Sequence, residues 1–449
     1  MRPDRLGAYG GRGNVAPNLE MFALEATVFD RAYTPIAQTE PAWRSLLTAR
    51  WPHRHGDRYP LTAESRLQTA PTFAEKFARA GYQTTFFTDC SRFNYQGPGS
   101  GFAERQQPPA GAINFVLEKL RYRGLGMFAD NAAGARFLPE LIDNRALAGI
   151  HDPIGYAHRL AQHLVAQAKN GPLLFAYHAA AAHFPGDPVY PFYRRWVPAS
   201  EPLERRLRMS FAPIGASSEG DWTREGSEAL YDELVSQADA QIGIIFDALK
   251  ASGLYDDALI VVFSDHGESF HADKPSLGGA TPVHGARLGD EENQIVLGIK
   301  LPRGAGQVGH SEALVRLIDI GPTLLQLRGL GELSDADGQS LVPLLRGEPM
   351  APLRLYAETG FTHVSPDAFD PDHLVAAPRT LEAYRIRPDG VIEVTDEVHE
   401  ALLREKDIGT FDGSRWIIRS PRKDGSFSFK CVGDCANPEE SIAWLEEVE

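Results

Sequence analysis

A chain of 449 residues with 43% hydrophobic and 23% charged side chains has globular composition and enough apolar mass for a sizeable core, which excludes disorder. Its 45 Lys and Arg against 60 Asp and Glu leave a formal charge of -15, the wrong sign for a phosphate-backbone binder, so no nucleic-acid partner is expected. No apolar run approaches the roughly 20 residues of a membrane helix, no signal-peptide h-region opens the chain, and three cysteines cannot build a disulfide framework.

Helix and strand alternate, the pattern of a mainly parallel sheet sandwiched by helices. Thr72 and Glu75 form a capping box that opens a short helix, Gly81 stops it, and residues 82–88 (YQTTFFT) predict a strand. A helical stretch around 156–168 leads into a second β-rich run, 173–178 (LLFAYH). The clearest helix spans about 228–252, where Leu230, Leu234, Ala238, Ile242, Ile245 and Leu249 make one apolar stripe that ends before Gly253. Residues 258–263 (ALIVVF) are expected as a strand buried on both faces. Residues 294–300 read as a further strand, and 314–327 as a helix broken in two by Pro322. From about residue 350 the character changes. Segments 353–357, 381–393 with a Pro388-Asp389-Gly390 turn, 416–419 and 426–431 predict a small antiparallel sheet. The expected division is a large α/β domain over 1–349 and a small α+β subdomain over 350–449. Cys431 and Cys435 are placed either to pair or to remain thiols; Cys90 stands apart.

Ser264-Asp265-His266-Gly267-Glu268 follows the 258–263 run directly. Ligands of open α/β sheets bind beyond the carboxyl ends of strands, which is where Asp265 and His266 fall. A carboxylate beside an imidazole supplies half of a divalent-metal site, although a capped turn with a satisfied histidine fits the same residues. A second cluster, Gln38-Thr39-Glu40-Pro41-Ala42-Trp43-Arg44-Ser45-Leu46-Leu47-Thr48, runs on to Trp51-Pro52-His53-Arg54-His55-Gly56. Further segments are Asp4-x-Leu6-Gly7-x-Tyr9-Gly10, Pro17-Asn18-Leu19, Gly81-Tyr82-x-Thr84, Asp319-Ile320-x-Pro322-Thr323-Leu324-Leu325 and Asp337-Gly338-x-Ser340-Leu341. Together, and in this order, they resemble the sulfatase branch of the alkaline-phosphatase superfamily along most of the chain.

The resemblance implies an alkaline-phosphatase-like fold and a metal-dependent hydrolase or transferase that works on a small anionic ester through a covalent intermediate. The family's nucleophile opens a Cys/Ser/Thr-x-Pro motif, a position held here by Thr39. One divalent ion (Mn, Ca, Mg or Zn) would lie on Asp265, His266 and Thr39, easing loss of the hydroxyl proton. Read locally, Thr39 also suits an N-cap for the helix after Pro41. Thr39 cannot become the formylglycine that sulfatases make from Cys or Ser, and Ala42-Trp43 replace their Ser-Arg. Asp89 and Ser91 stand where those enzymes keep a Lys-x-His pair for sulfate oxygens. A threonine nucleophile is similar instead to the phosphodiesterase, phosphonate-ester and phosphoglycerol-transferase members. A phosphate or phosphonate ester is therefore the first expectation, with a sulfuric ester as the alternative.

His183 resembles the family's substrate-facing histidine and His284 a residue near the transferred group, which makes both catalytic candidates. His178, His271 and Lys274 read as surface residues, His53 and His55 as structural ones. Family members are often exported, and they open with a buried strand ending in Asp-x-x-Arg, whose Asp is a metal ligand. This sequence starts at Met1-Arg2-Pro3-Asp4, inside that run, and Asp4 matches a later acidic position. The expectation is thus a sheet without its first strand and a weaker metal site, with an inactive anion-binding relative as a further reading.

Overall fold

The computed structural model describes residues 1–90, 100–106, 131–137, 153–183, 188–198, 224–270, 282–361, 370–378, 380–388 and 392–449. Ser91, His271, Lys274 and the Asp389-Gly390 turn pair lie outside the described residues. The larger sheet is built on Thr27–Tyr33, whose β-branched and aromatic residues suit a pleated surface. It pairs in parallel with Gly309–Arg316, from Thr27 beside Gly309 to Tyr33 beside Arg316, with a register shift between Phe29 and Arg31. Its other side carries Leu297–Lys300 and Gln294–Ile295, both antiparallel. Leu297–Lys300 in turn pairs with Ile260–Phe263, the last strand of this sheet among the described residues. A second sheet is parallel throughout, in the order Glu104–Gln106, Gln83–Thr88, Leu173–His178.

Helices complete the layers. Thr39–Thr48 packs against Pro52–His55, Phe73–Arg79 and Ile320–Arg328, while Pro153–Ala168 lies along Arg224–Ala251. The capping box forms: Thr72 Oγ1 accepts from Glu75 N at 3.1 Å and the Glu75 carboxylate accepts from Thr72 N at 3.3 Å. Phe29, Trp43, Leu46, Phe86, Leu297 and Val315 share one core, so the two sheets are packed through the helix that carries Trp43. The α/β architecture agrees with the expected fold class.

Three expectations need correction. The run at 258–263 forms a strand, Ile260–Phe263, but its residues are only half-buried because they border a cleft. Residues 314–316 end the Gly309–Arg316 strand instead of starting a helix, and Pro322 sits harmlessly in the first turn of Ile320–Arg328. Thr27–Tyr33, which no segment of the sequence reading covered, is the central strand, and Gly309–Arg316 pairs along one side of it.

Beyond residue 350, Leu355–Glu358, Ile408–Phe411, Arg415–Pro421 and Phe427–Gly433 form an antiparallel sheet in that order. Tyr384–Ile386 and Ile392–Val394 pair as a separate two-stranded ribbon. Cys431 and Cys435 are joined as a disulfide, and Cys90 is buried.

A buried ion cluster ties this sheet to the larger body. Glu358 is fully buried; Arg58 donates to it through Nη2 at 2.6 Å, and Lys406 Nζ lies 3.2 Å away. Tyr356 adds a hydroxyl at 3.0 Å. Burial alone pushes the Glu358 pKa up, but Arg58 and Lys406 outweigh it and hold the carboxyl at about 2. The folded value lies below the unfolded one, so this stabilisation is complete above about pH 4.5 and is lost as pH falls toward 2. Glu358→Ala would strand two buried cations. The expected cost is about 3–5 kcal/mol, read as a lower urea midpoint at pH 7, with a smaller loss for Glu358→Gln.

Candidate active site

The Ile260–Phe263 strand delivers Asp265 and His266 into a turn that only glycine can close. A Cβ on Gly267 would lie 2.2 Å from Glu291 O, because Gly267 N and Glu268 N donate to the carbonyls of Glu292 and Glu291 at 2.8 and 2.9 Å. This close backbone contact fixes His266 and Glu268 on either side of it. His266 Nδ1 donates to Gly267 O at 2.7 Å, which assigns the tautomer and leaves Nε2 as the acceptor. Burial outweighs the pull of Asp265 and brings the His266 pKa down to about 4, so the ring is neutral at pH 7.

Thr39 meets that ring from another element. Its hydroxyl lies 3.3 Å from His266 Nε2. Thr39 is the first residue of the Thr39–Thr48 helix, not its N-cap; Gln38 occupies the cap position, and its side chain makes no cap bond. Asp265 Oδ1 accepts from His266 N at 3.0 Å, and Oδ2 lies 3.7 Å from His266 Nε2 with no hydrogen-bond partner among the described residues. Burial raises the Asp265 pKa, but His266, His178 and the Met1 amino group overcome it and hold the carboxylate well below its usual range.

His284 joins the group through its ring, 4.3 Å from that of His266 and 5.1 Å from that of His183. Its Nδ1 is 3.0 and 3.2 Å from the two Glu268 carboxylate oxygens. The five sequence candidates Thr39, His183, Asp265, His266 and His284 are therefore brought together. Glu268, quoted in the motif without a role, was missed as the partner of His284.

His178 corrects an expectation. Half-buried, it lines the same cleft instead of the outer surface, with Nδ1 3.0 Å from Thr88 Oγ1. It ends the Leu173–His178 strand, so the strand-end rule that singled out Asp265 applies to it too. His55 is buried with Nε2 2.8 Å from Ser45 Oγ, and His53 packs edge-on against Tyr356, 4.6 Å between ring centres; both serve packing.

Asp89 also behaves differently from its expected part. It accepts from Ala180 N at 2.6 Å, Gln241 Nε2 at 3.0 Å and the Tyr177 hydroxyl at 3.2 Å. With three donors turned on it, the carboxylate is a buried structural group. Its charge is no argument against a sulfate.

The cleft has a volume of about 590 Å³. Thr39, His178, His183, Asp265, His266 and Glu268 are among its lining residues, and Phe175, Ile245 and Val261 are among its apolar ones. Among the described residues no group of three or more His, Cys, Asp and Glu side chains is arranged to hold a metal ion. Thr39, however, adds an oxygen to Asp265 and His266. An orphaned carboxylate oxygen, an imidazole acceptor and a hydroxyl within a few ångströms are a donor set that fits a small divalent cation.

N-sulphoglucosamine sulphohydrolase of Homo sapiens is 22% identical over 370 residues, 77% of this chain and 64% of that protein. The multifunctional alkaline phosphatase superfamily protein PehA of Trinickia caryophylli is 36% identical over 146 residues, 30% of this chain and 26% of that one. The chain thus spans less than two thirds of the length of either relative. Among solved structures, the phosphonate monoester hydrolase of Agrobacterium radiobacter superposes with a TM-score of 0.63 at 20% identity, covering 100% of this chain and 92% of the other, which establishes a common fold. Residues 1–330 match the sulfatase family model, and the chain belongs to the sulfatase family.

Proposed function

We propose that the chain is a metal-dependent hydrolase of a phosphate or phosphonate ester, with Thr39 as the nucleophile. The observation that carries this reading is the meeting of the Thr39 hydroxyl with His266 Nε2 at 3.3 Å, beside the Asp265 carboxylate in the cleft. Asp265, His266 and Thr39 would hold a divalent ion, which when bound would lower the hydroxyl pKa and polarise the ester.

The chain's own groups supply the rest. Because Thr39 opens its helix, the positive end of the dipole and the first-turn N–H groups face the negative charge that gathers at its oxygen. Glu268 takes the His284 Nδ1 proton as a hydrogen bond, so Nε2 is the atom that accepts a proton and, once the ring carries both, can deliver it to the departing alkoxide. His183, next to His284, is the candidate for binding a phosphoryl oxygen. Water, or an alcohol if the chain is a transferase, would then release the group from Thr39.

A sulfuric ester is the second reading. It is favoured by the likeness to N-sulphoglucosamine sulphohydrolase and by the inward-turned Asp89, whose carboxylate oxygens are engaged by protein donors.

An assay with Mn²⁺ and two substrates separates the readings. 4-Nitrophenyl phenylphosphonate is expected to turn over faster than 4-nitrophenyl sulfate; the reverse order would favour the sulfuric ester, and turnover of neither would favour an inactive anion-binding relative. Thr39→Ala is expected to lower kcat by about 10⁴-fold or more. Its stability should stay within about 1 kcal/mol of the parent, since the hydroxyl caps no helix. Near-normal turnover in that variant would remove Thr39 from the mechanism. Glu268→Gln should reduce kcat by about 10- to 100-fold, the scale of losing a group that orients its neighbour.

A further inference from the structure

We propose that Gln38 is a positioning residue that fixes Thr39 and His284 relative to one another. The proposal rests on reading those two as reacting groups. Gln38 directly precedes Thr39 in extended backbone (φ -150°, ψ 129°), and its carbonyl accepts from Ala42 N at 2.9 Å to start the helix. Its side chain does not turn back to cap that helix.

The side chain instead leaves the helix and is only 4% exposed. Nε2 donates to Phe361 O at 2.9 Å and lies 3.5 Å from His284 O. Two glycines make room for it. A Cβ on Gly285 would sit 2.2 Å from Nε2, and one on Gly360 would sit 2.4 Å from Cγ. Gly285 also has φ +79°, and its carbonyl accepts from Gly360 N at 2.9 Å. One amide is thus enclosed by the backbone after His284 on one side and by the backbone after Leu355–Glu358 on the other.

His284 is therefore held twice, at its ring by Glu268 and along its main chain by Gln38. Gln38 shares a peptide bond with Thr39, so a shift of the 284–285 backbone is passed to the nucleophile. Placement at this scale matters, because a misplacement of about 1 Å can cost roughly 100-fold in rate.

Gln38→Met keeps the length and the apolar stem and removes both donors and acceptor. With 4-nitrophenyl phenylphosphonate and Mn²⁺, kcat is expected to fall by about 10- to 100-fold while KM stays within about twofold. In a His284→Ala background the same substitution should cost less than about twofold, because the residue it positions is gone. A readout independent of turnover is selective ¹⁵N-glycine labelling. The amide signals of Gly285 and Gly360 should move in Gln38→Met and keep their places in Thr39→Ala. Losses that multiply fully in the double variant, a change confined to KM, or unmoved glycine signals would each overturn the positioning role. Turnover surviving in Thr39→Ala would instead overturn the nucleophile reading, a result distinct from any of these.

Discussion

The indole of Trp43 is wedged between the two sheets. It meets Phe86 at 5.2 Å on one sheet and Phe263 at 5.6 Å on the other, and the His178 ring at 5.9 Å. A buried aromatic in this position contributes a large apolar area plus about 0.5–1.5 kcal/mol for each well-oriented ring pair. More important is where it sits. Trp43 is one turn along from Thr39 on the same helix, so the contact that packs the sheets together also sets the depth of the proposed nucleophile. Asp265 and His266 follow Phe263 by two and three residues, and His178 ends the second sheet's edge strand. All four chemical groups are therefore referenced to one side chain.

Around that wedge, burial has opposite outcomes for adjacent residues. Burial makes His266 harder to protonate, whereas Asp265, beside the protonatable His266 and His178 rings, the Met1 amino group and the Thr39 hydroxyl, is held below the usual carboxylate range. A neutral imidazole and an anionic carboxylate are the protonation states that oxygen- and nitrogen-seeking cations require. The Glu358 cluster applies the same rule to structure: a buried carboxylate is tolerated because Arg58 and Lys406 are brought to it.

Much of the site was legible because it is written in short contiguous motifs. Thr39 precedes a proline by two, and Asp265 and His266 follow an apolar strand and precede the glycine their turn requires. Other features were not, for identifiable reasons. Thr27–Tyr33 carries Asp30 and Arg31 in the middle, which interrupts the apolar run by which buried strands are recognised. The 314–327 segment has apolar spacing compatible with strand or helix, and only pairing with Thr27–Tyr33 decides in favour of strand for its start. The half-burial of Ile260–Phe263 depends on a cleft, which no local pattern encodes. Gln38 touches carbonyls hundreds of residues away, so its role has no local signature.

The same cleft lies between strands that are each paired on one side only among the described residues: Leu173–His178 with Gln83–Thr88, and Ile260–Phe263 with Leu297–Lys300. Core strands ordinarily protect every amide from solvent deuterium through two ladders, as Thr27–Tyr33 does here with neighbours on both sides. In the two cleft-lining strands, alternate amides point into the cleft and lack that protection. Isotope uptake in this fold would therefore be banded by direction as well as depth: slow on the ladder side of each strand and fast on the side facing the chemistry.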